Sequence, residues 1–161
     1  MRCIFLNKQE KDLWLPVLFD LLYDNMRAIT PSGLTYGEKK KQWLSNVSPA
    51  LDKAPRQIVM CFAGDALAGY IQYYTRGELL MVEEVQIRKS YQKTPVFYCL
   101  CKYLCLNLPP EIAYMEAFAD ERNRYSRKLM DRLGMKQIAD DTASPYVHLR
   151  GPADGIKKYF Q

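Results

Sequence analysis

The sequence has no apolar run long enough to cross a bilayer. Its two longest, LWLPVLFDLLY and VFYCLCKYLCLNL, are interrupted by Pro16, Asp20 and Lys102, and neither reaches the eighteen or so residues that a span requires. No secretory signal is expected either, since MRCIFLNKQEKD breaks its apolar start with polar residues before any cleavage site. A cytoplasmic location is expected. The five cysteines, at positions 3, 61, 99, 101 and 105, are odd in number and contain no CxxC pair, which excludes a disulfide framework and a zinc knuckle. Within CLCKYLC, helical spacing sets Cys101 and Cys105 on one face and Cys99 elsewhere, so no metal site is expected and the thiols read as small buried side chains. There is one histidine, His148. No internal repeat, low-complexity segment or long linker divides the chain.

What is present is an ordinary globular composition: 161 residues, 48% hydrophobic and 25% charged, which predicts a single domain spanning residues 1–161 and excludes disorder. The net charge of +5 comes from dispersed Lys and Arg with local runs in EKKKQ and ERNRYSRK. These suit an anionic ligand or a solvated surface. The charge is too modest and too scattered to promote nucleic-acid binding.

RCIFLN reads as a strand, and KDLWLPVLFDLLYDNMRAI as a helix by its three- and four-residue apolar spacing, with Pro16 placed near the first turn. EKKKQWLSNVSPAL is a second helix expected to end near Pro49. RQIVMCFAGDALAGYIQYYTRGELLMVEEVQI gives three strands joined by the turns GD and RG. TPVFYCLCKYLCLNL is a helix closed by Pro109 and Pro110, with Thr94 as its N-cap and Pro95 at its first position. IAYMEAFAD is a strand, NRYSRKLMDRLG a helix with Leu129 and Leu133 inward and Gly134 as its stop, and KQIAD and PYVHLR are two last strands. The class is α+β, with a central, mostly antiparallel mixed sheet of about seven strands flanked by about four helices.

The segment NRYSRKLMDRLGM, with Asn123, Ser126, Leu129, Leu133, Gly134 and Met135 in register, resembles the late helix of the GNAT N-acetyltransferase superfamily. AGDALAGYIQYY and GELLMVEEVQIRKSYQ resemble that superfamily's second to fourth strands, and the likeness runs over residues 57–149. It implies acetyl-CoA as co-substrate and a small-molecule or peptide amine as acceptor. It also implies a cofactor path along Val85 and Ile87, a pyrophosphate loop at Gln92, Lys93, Thr94 and Val96, and cleft contacts from Asn123 and Ser126. The superfamily's loop carries Gln or Arg followed by small residues. Here Gln92 fits, whereas Pro95 and Phe97 replace the small ones, removing one N–H and adding bulk. Thr94 retains a hydroxyl to donate, and Arg88, Lys89 and Lys93 supply positive charge beside a helix N-terminus suited to an anion.

A base must deprotonate the amine, and Glu83 and Glu84 lie in the strand where related enzymes carry one. Adjacent strand residues point to opposite faces, so only one of the two is expected in the cleft, and Glu83 is favoured. The usual acid, a tyrosine seven residues after the helix asparagine, is replaced by Met130, leaving Tyr125, Tyr91 or Tyr146 as substitutes. His148 has a suitable pKa for proton transfer, and Asn123 is equally suited to capping its own helix. The resulting expectation is an N-acetyltransferase. The alternative is a GNAT-like module that keeps the fold, has lost catalysis, and binds a ligand or protein.

Overall fold

The computed structural model describes residues 1–53, 55–138 and 145–160. Its strands are β1 (Arg2–Phe5), β2 (Gln57–Ala63), β3 (Ala66–Arg76), β4 (Leu79–Ile87), β5 (Tyr114–Asp120), β6 (Lys136–Gln137) and β7 (Tyr146–Pro152). They form one sheet in the order β1-β2-β3-β4-β5-β7-β6. All neighbours are antiparallel except β4 and β5. The helices are α1 (Lys11–Met26), α2 (Tyr36–Asp52), α3 (Val96–Asn107), α4 (Arg124–Arg132) and α5 (Asp154–Phe160). The α+β class and the mostly antiparallel mixed sheet are as the sequence predicts.

Strand alternation sorts the core into two layers. On one face Ile58, Met60, Phe62 and Tyr70 pack with Leu15, Leu18, Val47 and Leu51 of α1 and α2. On the other, Val59, Cys61 and Ile71 meet Leu100 and Leu104 of α3, Met130 of α4 and Ile156 of α5. Full burial of each such aliphatic side chain contributes about 1.5–3 kcal/mol. Both faces are therefore strongly driven.

Pro109 and Pro110 follow the end of α3 as expected, whereas Pro16 and Pro49 lie deeper in their helices than expected. Pro16 lies in the second turn of α1, and Pro49 lies inside α2, which continues to Asp52. Tertiary packing overrides the local cost in α2, because Val47 and Leu51 on either side of Pro49 are buried. Lys11 adds an anchor at the same end, donating to Asp52 at 2.6 Å. At the other end, Thr35 and Glu38 form a capping box.

Helix α4 stops where the sequence places its stop. Gly134 has φ of +76°, and Met135 N–H donates to the Met130 carbonyl at 3.0 Å while Gly134 N–H donates to Asp131 at 2.9 Å. Leu133 is buried and Leu129 half-buried against the α3 layer. Helix α5 is not among the expected elements, because Pro152 and Gly155 on either side of its start read as turn signals. Of the strand expected at KQIAD, Lys136–Gln137 is formed, and Ala139 and Asp140 lie outside the described residues. Among the described residues, no helix is long and apolar enough to cross a membrane.

Candidate functional site

Strands β4 and β5 pair only over Leu79–Val82 and Tyr114–Ala117. Beyond Val82, β4 stays on β3 through Ile87, while β5 stays on β7 through Asp120. The two diverge and open a cleft of about 1030 Å³. Residues of α1, α2 and their connection wall one end, and the end of β5 with the first turns of α4 walls the other. Along this gap β4 presents N–H and C=O groups without a β5 partner, and buried backbone groups of that kind require one.

The position of the carboxylates follows from a β-bulge. Gln72 of β3 pairs with Glu84 and Tyr73 pairs with Val82, leaving Glu83 as the extra residue. Both glutamates consequently face the α1–α2 side, where the plain two-residue alternation expected from sequence would have separated them. Glu83 accepts from Gln72 Nε2 at 2.9 Å and from Arg56, whose Nε reaches it at 2.7 Å and whose Nη2 completes a bidentate pair. Glu84 accepts from Trp43 Nε1 at 2.8 Å and from the Tyr70 hydroxyl at 2.7 Å. Burial pushes the Glu84 carboxyl above its ordinary value, the two hydrogen bonds oppose this, and the Glu83 charge adds to the rise. Tyr70 is fully buried, and burial together with the Glu84 charge holds its hydroxyl protonated as a donor.

At the start of α3, the N-cap is Pro95 and no side chain caps the helix. Thr94 is not the cap: its hydroxyl donates to the Tyr91 carbonyl at 2.7 Å, which closes the preceding 3-10 turn and removes it as a donor to a ligand. Gln92 donates to the Ile87 carbonyl at 3.2 Å, and Arg88 Nε donates to the Leu67 carbonyl at 3.1 Å. Val96 is fully buried in the α3 layer and does not line the cleft. The first bond of the helix runs from Cys99 N–H to the Pro95 carbonyl at 2.8 Å. The N–H groups of Val96 and Phe97 thus precede the helical ladder. Gln92, Lys89 and Phe97 line the cleft, whereas Lys93 and Thr94 do not.

Val85, Ile87, Asn123, Tyr125 and Ser126 line the cleft as well. Val85 and Ile87 direct their side chains to the α3 layer. Asn123 caps α4, with Oδ1 accepting from Ser126 N–H at 3.1 Å. Of the three substitute tyrosines, Tyr125 and Tyr146 reach the cleft, and Tyr91 packs against the α3 layer. Met130 is buried. His148 does not line the cleft: its Nε2 meets Glu116 Oε2 at 2.9 Å, and its ring stacks on Phe118 at 4.3 Å.

Sequence reasoning missed Trp43, Tyr70, Arg56 and Asn25. Asn25 donates to Gln86 Oε1 and to the Ile87 carbonyl, both at 3.0 Å, and its own Oδ1 is buried with no partner. The available signal was the adjacent polar pair Asp24 and Asn25 in LLYDNM near the end of the mostly apolar α1.

No family model and no curated protein matches the chain. Solved structures do. An acetyltransferase from Thermus thermophilus is 15% identical with a TM-score of 0.70, covering 94% of this chain and 97% of its own. The PaiA N-acetyltransferase from Thermoplasma acidophilum, solved in complex with coenzyme A, is 12% identical with a TM-score of 0.69, covering 94% and 99%. Apo FdhC, a nucleotide-linked sugar GNAT, is 11% identical with a TM-score of 0.64, covering 97% and 88%.

Proposed function

This chain has the fold of the GNAT acetyltransferases, and we propose that it transfers an acetyl group from acetyl-CoA directly to an amine of a small molecule or peptide. The observation that carries the reading is the parting of β4 from β5 beside Glu84, a carboxylate raised by burial and held by the neutral donors Trp43 and Tyr70.

The groups along the cleft fit a ligand that is a chain of amides ending in phosphates. The unpaired edge of β4 offers amide partners, and the orphaned Asn25 Oδ1 calls for an N–H donor. The N–H group of Phe97, in the first turn of α3, and the Lys89 side chain line the cleft and suit an anion at the start of that helix. Bound there, acetyl-CoA supplies the acetyl thioester. Glu84, directly or through one water, takes the proton from the acceptor ammonium, and its raised pKa makes it a better base near neutral pH. Glu83 is held by the Arg56 guanidinium and by Gln72 Nε2, so its oxygens are already engaged. Trp43 and Tyr70 fix the direction of the Glu84 oxygens. A thiolate leaving group with pKa near 8.5 needs little acid help, and the hydroxyls of Tyr125 and Tyr146 are the donors on the cleft wall.

One feature favours the reading without catalysis. Pro95 lacks the N–H that a small residue would offer, and the Gln92 and Thr94 side chains are tied to backbone carbonyls. Calorimetric titration with acetyl-CoA, CoA and dephospho-CoA separates the two. Micromolar binding that depends on the phosphates, followed by turnover with an amine, is the expected result. Absence of binding at millimolar concentration would remove the acetyltransferase reading and turn the search to other ligands or partners.

A further inference from the structure

We propose, resting on the acetyltransferase reading, that the acceptor is a small primary amine with a single positive charge on an apolar or aromatic body, bound between α1, α2 and the bulge of β4. The walls at that end are Leu22, Tyr23 and Met26 of α1, Trp43 of α2, and Leu34 between them. Their rings form a continuous apolar surface: Phe19 lies 6.0 Å from Tyr23 and 5.8 Å from Trp43, centroid to centroid. Trp43 also donates to Glu84, so this surface adjoins the base directly.

Charge decides how many ammonium groups the site accepts. Among the described residues, the carboxylates lining the cleft are Glu83, Glu84 and Asp120. Arg56 neutralises Glu83. Arg122 neutralises Asp120 through Nε at 2.9 Å and Nη2 at 2.7 Å. Glu84 is hydrogen-bonded by uncharged groups, so it is the one carboxylate left to match a cation. At the α1–α2 end the cleft is lined by Arg27 and Lys39. A second or third ammonium of a polyamine or aminoglycoside would lose its water beside these cations without a counter-charge, which works against its binding. A single ammonium is matched by Glu84 beside the indole of Trp43, and the remaining apolar body is removed from water against Leu22, Tyr23 and Met26.

The test measures CoA thiol release from acetyl-CoA by the full chain with phenethylamine, spermidine, kanamycin and a short unblocked peptide, alongside acetyl-CoA titration. Phenethylamine is expected to exceed the other acceptors in kcat/KM by about tenfold or more. Tyr23→Ala is expected to raise its KM about tenfold and to leave the KM for acetyl-CoA unchanged. Preference for spermidine, kanamycin or the peptide would overturn the acceptor class and leave the acetyltransferase reading intact. A Tyr23→Ala loss that falls equally on both substrates would also overturn the assignment of this wall. Failure to bind acetyl-CoA or to acetylate any amine would overturn both readings together.

Discussion

At the scale of the residue, Glu84 and Glu83 differ in what surrounds them more than in where they stand. Both face the α1–α2 side, yet one meets a guanidinium and the other an indole and a phenol. Glu84→Gln is expected to lower acetyl transfer at neutral pH by about a hundred- to ten-thousandfold, with the deficit shrinking at high pH as free amine becomes available. A rate loss equal at all pH values would remove Glu84 as base. Glu83→Gln is expected to act less on rate and more on the Arg56 contact. The raised pKa also has a thermodynamic sign. The folded chain binds the Glu84 proton more tightly than the unfolded chain does. The contribution to stability is therefore greatest below the ordinary value of 4.5 and declines as pH rises through the raised value. Melting curves of wild type and Glu84→Gln should accordingly shift in the variant's favour as pH rises across that window.

At the scale of the element, the start of α3 and the β3–β4 contact are where the proposed acetyl-CoA binding is tested. Pro95→Ala adds one N–H at the N-cap. If that group faces a phosphate, acetyl-CoA binding should tighten by about tenfold or more, since a hydrogen bond to a charged group is worth about 1.5–3 kcal/mol. The loss of proline's rigidity costs about 0.4–1 kcal/mol of stability. Unchanged affinity in calorimetry would mean the N–H points away from the ligand. Gly69 lets β3, β4 and α3 approach closely: an added Cβ would lie 2.7 Å from the Gln86 carbonyl oxygen and 3.2 Å from Val96 Cγ1. Gly69→Ala should cost about 1–3 kcal/mol in denaturant unfolding and weaken acetyl-CoA binding, because the backbone it displaces is the cleft edge of β4. Wild-type affinity in a destabilised variant would separate the packing from the site.

At the scale of the whole molecule, the cleft exists because β4 and β5 each keep their outer partner while parting from one another after Val82 and Ala117. A ligand lying between them binds the folded chain and not the unfolded one. Acetyl-CoA at a hundred times its dissociation constant should stabilise by about 2.7 kcal/mol, which for a chain of this size raises the melting temperature by roughly 5–10 °C. A flat melting temperature under saturating acetyl-CoA would contradict a site in that gap.

The sequence by itself determined the elements whose signals are local: the strands rich in β-branched, aromatic and aliphatic residues on either side of the Gly64 and Gly77 turns, the α4 stop at Gly134 and the Asn123 cap. Each depends on residues within a turn or two. It also carried the order of elements from which the fold class follows, apart from α5, where Pro152 and Gly155 imitate a turn. Tertiary structure alone decided the site. Glu84 is oriented by Trp43, 41 positions away, and Tyr70, 14 positions away, and Glu83 is neutralised by Arg56, 27 positions away. No local pattern encodes those distances. The bulge that turns both carboxylates to one face is visible only in the pairing of β3 with β4, because a strand's two-residue period holds only while its partner stays in register.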